Sequence, residues 1–148
     1  MTEPKELNWY FVEFLKALIA LSLPVKEQIK AYGEGPIGKE MYADFKGNYT
    51  DFKDEFFTNG QILEVHKIEI DKLELFLNSK KDDFFNELQS LIDDQQWEEV
   101  RLLAKNCIKL MEMEHLGLET TIVEEPSVDE NGEEVIFQII QTQIINKS

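Results

Sequence analysis

The apolar residues of the first part of the chain recur with the period of a helix. Residues 5–22 carry a wide apolar stripe at three- and four-residue spacing, which predicts an amphipathic helix. Ser22 and Pro24 then mark a helix end and the first turn of a short second helix, which stops at Gly33. Three glycines and a proline make residues 33–38 the clearest loop in the chain.

The middle of the chain also favours helices. Its pattern predicts helical segments over residues 39–57, 61–77, 82–92 and 95–115. We expect Gly47-Asn48 to break or bend the first of these. Residues 61–77 also fit an alternating strand, but their Glu, Lys and Leu content favours helix. The short junction between the last two segments predicts an antiparallel αα-hairpin.

After Gly117 the pattern becomes that of strands. Two segments rich in β-branched residues, 120–123 and 135–145, flank Asn131-Gly132. An Asn-Gly pair between such segments is the strongest short signal for a β-hairpin with a two-residue turn. The complete pattern predicts a mainly α fold, a helical bundle of about five helices with a C-terminal β-hairpin, in the α+β class.

A two-residue turn at Asn131-Gly132 would place acids opposite acids. Glu130 would face Glu133, and Asp129 would face Glu134. Like charges directly opposite cost about 0.2–1 kcal/mol for each pair. A cation or a basic partner would offset that cost, whereas a solvated tip that resists edge-to-edge aggregation is the simpler explanation.

Composition indicates one folded, strongly acidic domain. The chain of 148 residues fits a single domain, residues 1–148, with a helical core (1–116) and an acidic hairpin (117–148). Its 43% hydrophobic content excludes a disordered acidic chain. After Met111 nine carboxylates stand against one base, a balance of −8 out of the net −15. Such a segment repels nucleic acid and anionic membranes and attracts basic protein surfaces.

Three features of the sequence bear on the cellular compartment: its cysteine content, its N-terminal residues and the length of its apolar segments. Cys107 is the single cysteine, so no intramolecular disulfide is possible. No signal peptide is visible, and no apolar run reaches the roughly 18 residues of a membrane span. We expect a cytoplasmic protein.

Metal sites fit the sequence poorly. An EF-hand loop drawn through Gly132 puts Ser127 at the first ligand position and Gln138 at that of the final bidentate acid, so calcium is rejected. Glu112-x-x-His115 is a single copy of a motif that a di-iron bundle needs twice. A zinc site would need His66 and His115 to converge, and solvent-facing or hydrogen-bonded histidines are the simpler expectation.

No enzyme signature is present. Cys107 falls on the apolar face of a helix, where an inert core thiol is expected. The paired acids Asp82-Asp83 and Asp93-Asp94 lie at helix ends, where acids usually cap helices and interact with the helix dipole. We therefore predict a non-enzymatic protein without metal or cofactor. A metal-dependent carboxylate enzyme remains the third alternative.

Residues 10–110 carry a family resemblance. Leu18-Ile-x-Leu21, Pro24, Gln28-Ile-x-x-Tyr32, Glu40-Met-x-x-x-Phe45 and Trp97-Glu-Glu-Val-Arg-x-Leu-Ala104 follow in order. This succession resembles small, acidic, mostly helical bacterial proteins of the polymorphic-toxin immunity type. The resemblance implies a protein that binds and blocks a toxin, and it assigns no functional residues.

The leading functional prediction is thus a protein-binding domain, most concretely an immunity protein that covers a basic toxin. The predicted contacts are the hairpin acids and a second acidic patch: Glu124, Glu125, Asp129, Glu130, Glu133 and Glu134, with Asp93, Asp94 and Glu98. The alternative is a structural or assembly subunit that homo-oligomerises through the C-terminal strand. Ile136, Ile140 and Ile144 suggest it, because that strand has apolar residues on both faces.

Overall fold

The computed structural model describes residues 2–33 and 35–147, which form eight helices followed by two strands. The elements are α1 (Pro4–Ser22), α2 (Val25–Tyr32), α3 (Ile37–Tyr49), α4 (Lys53–Thr58), α5 (Glu64–Asn78), α6 (Asp82–Asn86), α7 (Leu88–Asp93), α8 (Gln95–Leu110), β1 (Leu116–Val128) and β2 (Glu134–Asn146). The strands form one antiparallel hairpin. A mainly helical fold with a C-terminal hairpin is confirmed, although with more and shorter helices than the five predicted.

Helix α1 lies at the centre of the core. Its second half is buried on nearly every side, because an apolar surface that surrounds a helix needs neighbours all round. It packs against α3 and α8, and α8 packs in turn against α5. The Phe14 ring stacks on Tyr49 of α3 with 5.0 Å between the ring centroids. The predicted helix over residues 5–22 therefore organises the fold.

The break in the 39–57 segment lies later than predicted. Helix α3 continues through Gly47-Asn48 and ends at Tyr49. Gly47 faces open space, so its missing side chain costs no packing. The Tyr49 hydroxyl donates to Asp71 Oδ1 at 2.8 Å, and Thr50 Oγ1 donates to Glu74 Oε2 at 2.7 Å. These contacts with α5 fix the chain where α3 ends.

Residues 61–77 form a helix and not a strand. Helix α5 covers Glu64–Asn78, and Ile70, Leu73 and Leu77 are buried at helical spacing. The Leu63 N–H donates to His66 Nδ1 at 3.0 Å, which satisfies an open donor at the start of the helix. The prediction of helix is confirmed, and His66 has a helix-capping role.

The single helix predicted over residues 82–92 is wrong. It is divided into α6 and α7 at Glu87, whose backbone is extended (φ −102°, ψ 126°). The Trp97 Nε1–H donates to the Phe84 carbonyl at 3.0 Å, so that carbonyl serves α8 and does not continue its own helix. The two rings also stack at 4.5 Å. The predicted αα-hairpin is likewise incorrect in its packing, because α8 packs mainly against α1 and α5.

Helix α8 ends at Leu110, five residues before the predicted end. The Met113 N–H donates to the Ile108 carbonyl at 3.0 Å, and the Glu112 N–H donates to the Lys109 carbonyl at 3.0 Å. Together these bonds form a Schellman motif, which needs a left-handed residue directly after the helix cap. Glu112 takes that conformation, with φ +58°. The turn leads the chain into β1.

Within the described ranges, no helix has the length and apolar character that a membrane crossing requires.

Candidate protein-interaction surface

The C-terminal hairpin is a long two-stranded arm. Its thirteen pairs run without interruption from Leu116–Asn146 at the base to Val128–Glu134 at the far end. A paired segment of this length spans about 40 Å. Partners in the register lie on the same face, so the arm has two distinct faces along its whole length.

The base of the arm is anchored to the helices. Leu116, Leu118 and Ile144 are partly buried and pack against the core. Farther along the same face, the Ile140 side chain lies over Gly33, and a Cβ placed at Gly33 would be 2.5 Å from Ile140 Cδ1. Gly33 also has φ +75°, so the end of α2 and the arm meet where only glycine fits.

The outer half of the arm exposes large apolar side chains on both faces. Ile122 and Ile136 are 61% and 67% exposed and share the face that is anchored at the base. Phe137 is 55% exposed and lies on the opposite face with Ile139. An isolated two-stranded hairpin is at best marginally stable in water. The outer half therefore has the character of a surface that another protein covers.

The turn at the tip differs from the predicted two-residue turn. The Gly132 N–H donates to the Asp129 carbonyl at 3.1 Å, and the Asp129 N–H donates to the Glu133 carbonyl at 2.9 Å. The loop thus contains three residues, Glu130-Asn131-Gly132, with Gly132 left-handed at φ +80°. This is a type I turn followed by a glycine bulge.

The changed turn replaces the two predicted acid-against-acid pairs with a different one, Asp129 opposite Glu133. Glu134 lies opposite Val128 and not opposite Asp129, and Glu130 lies within the loop. The cause is the Asp129 side chain, whose Oδ1 accepts the N–H groups of Asn131 and Glu133, each at 2.9 Å. Such an Asx arrangement favours the longer loop. The two predicted pairs are therefore wrong, but two acids still face each other where the strands meet the loop, and there the Asp129 carboxylate accepts the Glu133 N–H.

The remaining hairpin acids are available on the arm. Glu124, Glu125, Glu130, Glu133 and Glu134 are exposed, and Asp129 is half-buried in the turn that it stabilises. Glu124 pairs in register with Gln138, and Glu125 pairs with Phe137. The acids therefore lie among the exposed apolar side chains on one ribbon, a combination of an apolar centre and a charged rim.

The second predicted patch lies elsewhere. Asp94 caps the start of α8, where its Oδ1 accepts the Gln96 N–H at 2.8 Å. Glu98 forms an ion pair with Arg101, and Asp93 accepts a hydrogen bond from Gln89. The hairpin follows the other end of α8, and a 16-residue helix is about 24 Å long. Asp93, Asp94 and Glu98 consequently have local partners in the α7–α8 region.

Sequence reasoning missed an acidic cavity beside the base of the arm. The cavity has a volume of about 260 Å³, and Glu13, Tyr32, Glu40 and Asp44 line it together with Leu118 and Ile140. Lys16, the one base among the described residues that line it, forms an ion pair with Glu13 at 3.3 Å. The Tyr32 hydroxyl donates to Asp44 Oδ2 at 2.9 Å. These side chains come from three helices, so no local spacing in the sequence signals that they meet.

Burial and, as a smaller contribution, mutual repulsion raise the pKa of the acids Glu40 and Asp44 in this cavity. Partial burial raises the pKa of Asp44, Glu13 adds to that effect, and the hydrogen bond from Tyr32 opposes it. Partial burial also raises the pKa of Glu40, and the charge of Asp44 contributes in the same direction. Burial and the charge of Asp44 raise the pKa of Tyr32, so its phenol stays protonated. The cavity therefore favours the protonated forms of Glu40, Asp44 and Tyr32.

The side chains considered for metal binding and nucleophilic chemistry are dispersed. Cys107 is buried, and burial raises the pKa of its thiol to about 12, as expected for a core thiol. His66 begins α5, whereas His115 precedes β1. Across residues 2–33 and 35–147, no cluster of three or more His, Cys, Asp or Glu side chains is suited to holding a metal ion.

Comparisons of the chain with protein-family models, with curated proteins and with solved structures give no match.

Proposed function

We propose that this protein is a non-enzymatic protein-binding domain and that the C-terminal arm is its recognition element. One observation carries the proposal: the outer half of the arm exposes Ile122, Ile136 and Phe137 on its two faces, with acids between them. Interfaces commonly combine an apolar centre with a polar rim. Large side chains near that centre supply most of the binding energy.

The acids on the arm suit a partner with a basic surface. The whole chain has a net charge of −15, and the arm acids project from the part of it that is most exposed. Such a charge distribution accelerates association with a cationic protein and makes the rate depend on salt. The concrete form of the proposal is a cytoplasmic immunity protein that neutralises a basic toxin by covering its surface.

Affinity capture from the source cell, with the full-length protein as bait, tests the proposal. The expected result is a cationic protein whose association slows as ionic strength rises. A bait with three arm acids reversed, Glu125→Lys, Glu133→Lys and Glu134→Lys, should lose this protein. A matched bait with Asp51→Lys, Glu87→Lys and Glu99→Lys carries the same charge change on exposed positions of the helical part and should retain it.

Two results would contradict the proposal. One is a partner that both reversed baits retain, because the arm would then not be its binding site. The other is an association rate that does not change with salt. A bait with Ile136→Ser and Phe137→Ser separates the apolar from the ionic contribution, since it keeps every acid of the arm.

A further inference from the structure

A second surface of the molecule has the opposite chemistry to the arm. It is a groove of about 440 Å³ between the second half of α8, the α1–α2 corner and the base of the arm. We call it the lysine groove, after the residues that define it: Leu23, Leu102, Lys105, Lys109, Leu116 and Lys147. Apolar side chains and three exposed lysines share its lining.

The three lysines concentrate positive charge in an otherwise acidic protein. Lys105 and Lys109 are one helical turn apart on α8, and both are exposed. The stem of Lys147 lies over Gly117, where an added Cβ would be 3.0 Å from Lys147 Cγ. Glu114 also lines the groove. In the described part of the chain, none of the three lysines has a carboxylate within 4.0 Å.

The arm tip has the complementary chemistry. We define the arm tip as Val128, Glu133, Glu134, Ile136 and Phe137. Val128, Glu134 and Ile136 lie on one face of the ribbon, Phe137 lies on the other face, and all five side chains are exposed. With the face that carries Val128 and Ile136 against the apolar side chains of the groove, Glu133 and Glu134 at the end of the ribbon would lie beside its lysines.

A molecule cannot place its own arm tip in its own lysine groove. Leu116 and Lys147 belong to the base of the arm, whereas Val128 and Glu134 are the last pair at its far end. The two ends belong to one continuously paired ribbon and are about 40 Å apart. The arm tip can therefore bind only to the lysine groove of another molecule.

We propose that the lysine groove binds the arm tip of a second copy of this chain, so that two copies form a two-fold symmetric dimer. With the arms antiparallel and side by side, each tip lies at the base of the other arm. The contact is then reciprocal and occurs twice, as a two-fold axis requires. A stable dimer buries about 800 Å² for each partner, so the two arms would contact each other along most of their length as well as at the tips.

The dimer goes beyond the proposed function, because it assigns a role to the lysine groove and covers the same arm when no other partner is bound. A basic partner would compete with the second copy for the arm. The two proposals nevertheless fail separately. Self-association is measured on the purified protein alone, whereas the proposed function depends on capture of a different protein.

Sedimentation of the full chain over a wide concentration range tests the dimer. We expect a reversible monomer–dimer equilibrium that weakens as salt rises. The groove variant Lys105→Glu/Lys109→Glu and the tip variant Glu133→Lys/Glu134→Lys should each dimerise at least about tenfold more weakly, because each brings like charges together. A control variant, Lys26→Glu/Lys30→Glu, has the same spacing and charge change on exposed positions of α2 and should dimerise normally.

Mixing the two variants provides the decisive measurement. In the mixed dimer, the lysines introduced at the tip of one variant meet the glutamates introduced in the groove of the other. At the second contact, the native tip acids of the groove variant meet the native groove lysines of the tip variant. The mixture should therefore recover the affinity that each variant lacks alone, whereas the tip variant mixed with the control variant should form no mixed dimer at native affinity. A monomer at every concentration, a dimer that both variants leave intact, or a mixture without recovery would each overturn the proposal. Circular dichroism establishes that every variant is folded.

Discussion

Arg101 donates from Nε to Oε1 of Gln28 at 3.0 Å, and both side chains are buried. Its Nη2 also donates to Gln28 Oε1 and to the Leu91 carbonyl, each at 2.9 Å. Gln28 Nε2 donates in turn to the carbonyls of Ala20 and Leu21 at the end of α1, at 3.1 and 3.2 Å. One amide thus links a guanidinium on α8 to α1 and α2.

Replacement of Gln28 by Leu should destabilise the fold by about 3 kcal/mol. The substitution leaves the buried guanidinium without its main acceptor, and a buried charge without a partner costs about 3–5 kcal/mol. Part of that cost is avoided because Glu98 and the Leu91 carbonyl still accept from Arg101. Urea unfolding followed by helical circular dichroism measures the change.

The double variant Gln28→Leu/Arg101→Met identifies the cause of that loss. Removing the charge together with its acceptor should recover part of the lost stability, because no unpaired guanidinium remains. Gln95→Leu, at an exposed position of the same helix as Arg101, should change stability by less than about 0.5 kcal/mol. Equal losses in the single and double variants would contradict the proposed role of the guanidinium.

Replacement of Asp44 by Asn should stabilise the protein at neutral pH. The folded state raises the pKa of Asp44, so this carboxylate contributes stability at low pH that is lost as pH rises through its folded pKa. Asn retains an acceptor for Tyr32 but removes the cost of partly burying a carboxylate and, as a smaller contribution, the repulsion with Glu13 and Glu40. The gain should be small, since Asp44 is partly exposed and solvent screens the repulsion.

The pH dependence of this effect is the diagnostic measurement. Thermal unfolding of the wild type and of Asp44→Asn should converge as the pH falls below about 3, where Asp44 is protonated in both the folded and unfolded states. Asp51→Asn, at an exposed site, removes the same charge away from the cavity and serves as the control. A stabilisation that is independent of pH would show that the charge of Asp44 is not the cause.

The type of a secondary-structure element was predictable where its own residues determine it. The helical period of α1 and α8 and the β-branched residues of the arm are local signals, and they gave the correct element types. The division between α6 and α7 was not predictable, because it depends on a hydrogen bond between Trp97 and Phe84. The register of the arm was also missed, since the side chain of Asp129 selects the longer loop.

The candidate surfaces show the same division. The acids of the arm are contiguous in sequence, so their exposure could be anticipated from composition and pattern. Lys105, Lys109 and Lys147 line one groove because the Schellman turn joins α8 directly to β1, and β2 returns beside β1 to the same end of the arm. The cavity acids likewise come together through the packing of α1, α2 and α3. The spacing of these residues in the sequence predicts neither the lysine groove nor the acidic cavity.

Replacement of Glu112 by Gly should stabilise the fold by about 1 kcal/mol. Glu112 has φ +58°, a conformation that costs a side-chain-bearing residue about 1–2 kcal/mol and costs glycine little. Its negative charge also lies at the negative end of the α8 dipole. Chemical unfolding of both proteins measures the gain.

The variant Glu112→Ala separates the two contributions to that gain. Alanine removes the charge but retains the left-handed strain, so it should recover only the smaller, electrostatic part, about 0.3–1 kcal/mol. If Ala and Gly stabilise equally, backbone strain at the end of α8 does not limit stability.

Replacement of Gly33 by Ala should loosen the attachment of the arm to the helices. Gly33 has φ +75°, where a side chain strains the backbone, and its Cβ would be 2.5 Å from Ile140 Cδ1. Relief of that overlap requires Ile140 to move away from α2. We expect a loss of about 1–3 kcal/mol from backbone strain together with faster hydrogen exchange of the amides of the arm near Ile140.

The variants Ile140→Ala and Gly33→Ala/Ile140→Ala separate strain from overlap. With Ile140 shortened, the overlap disappears, so adding Gly33→Ala should cost only the backbone strain and should leave hydrogen exchange in the arm as it is in Ile140→Ala. An equal acceleration of exchange by Gly33→Ala in both backgrounds would mean that the Gly33–Ile140 contact does not hold the arm. In that case the anchoring of the arm would depend on Leu116, Leu118 and Ile144 at its base, which pack against the core.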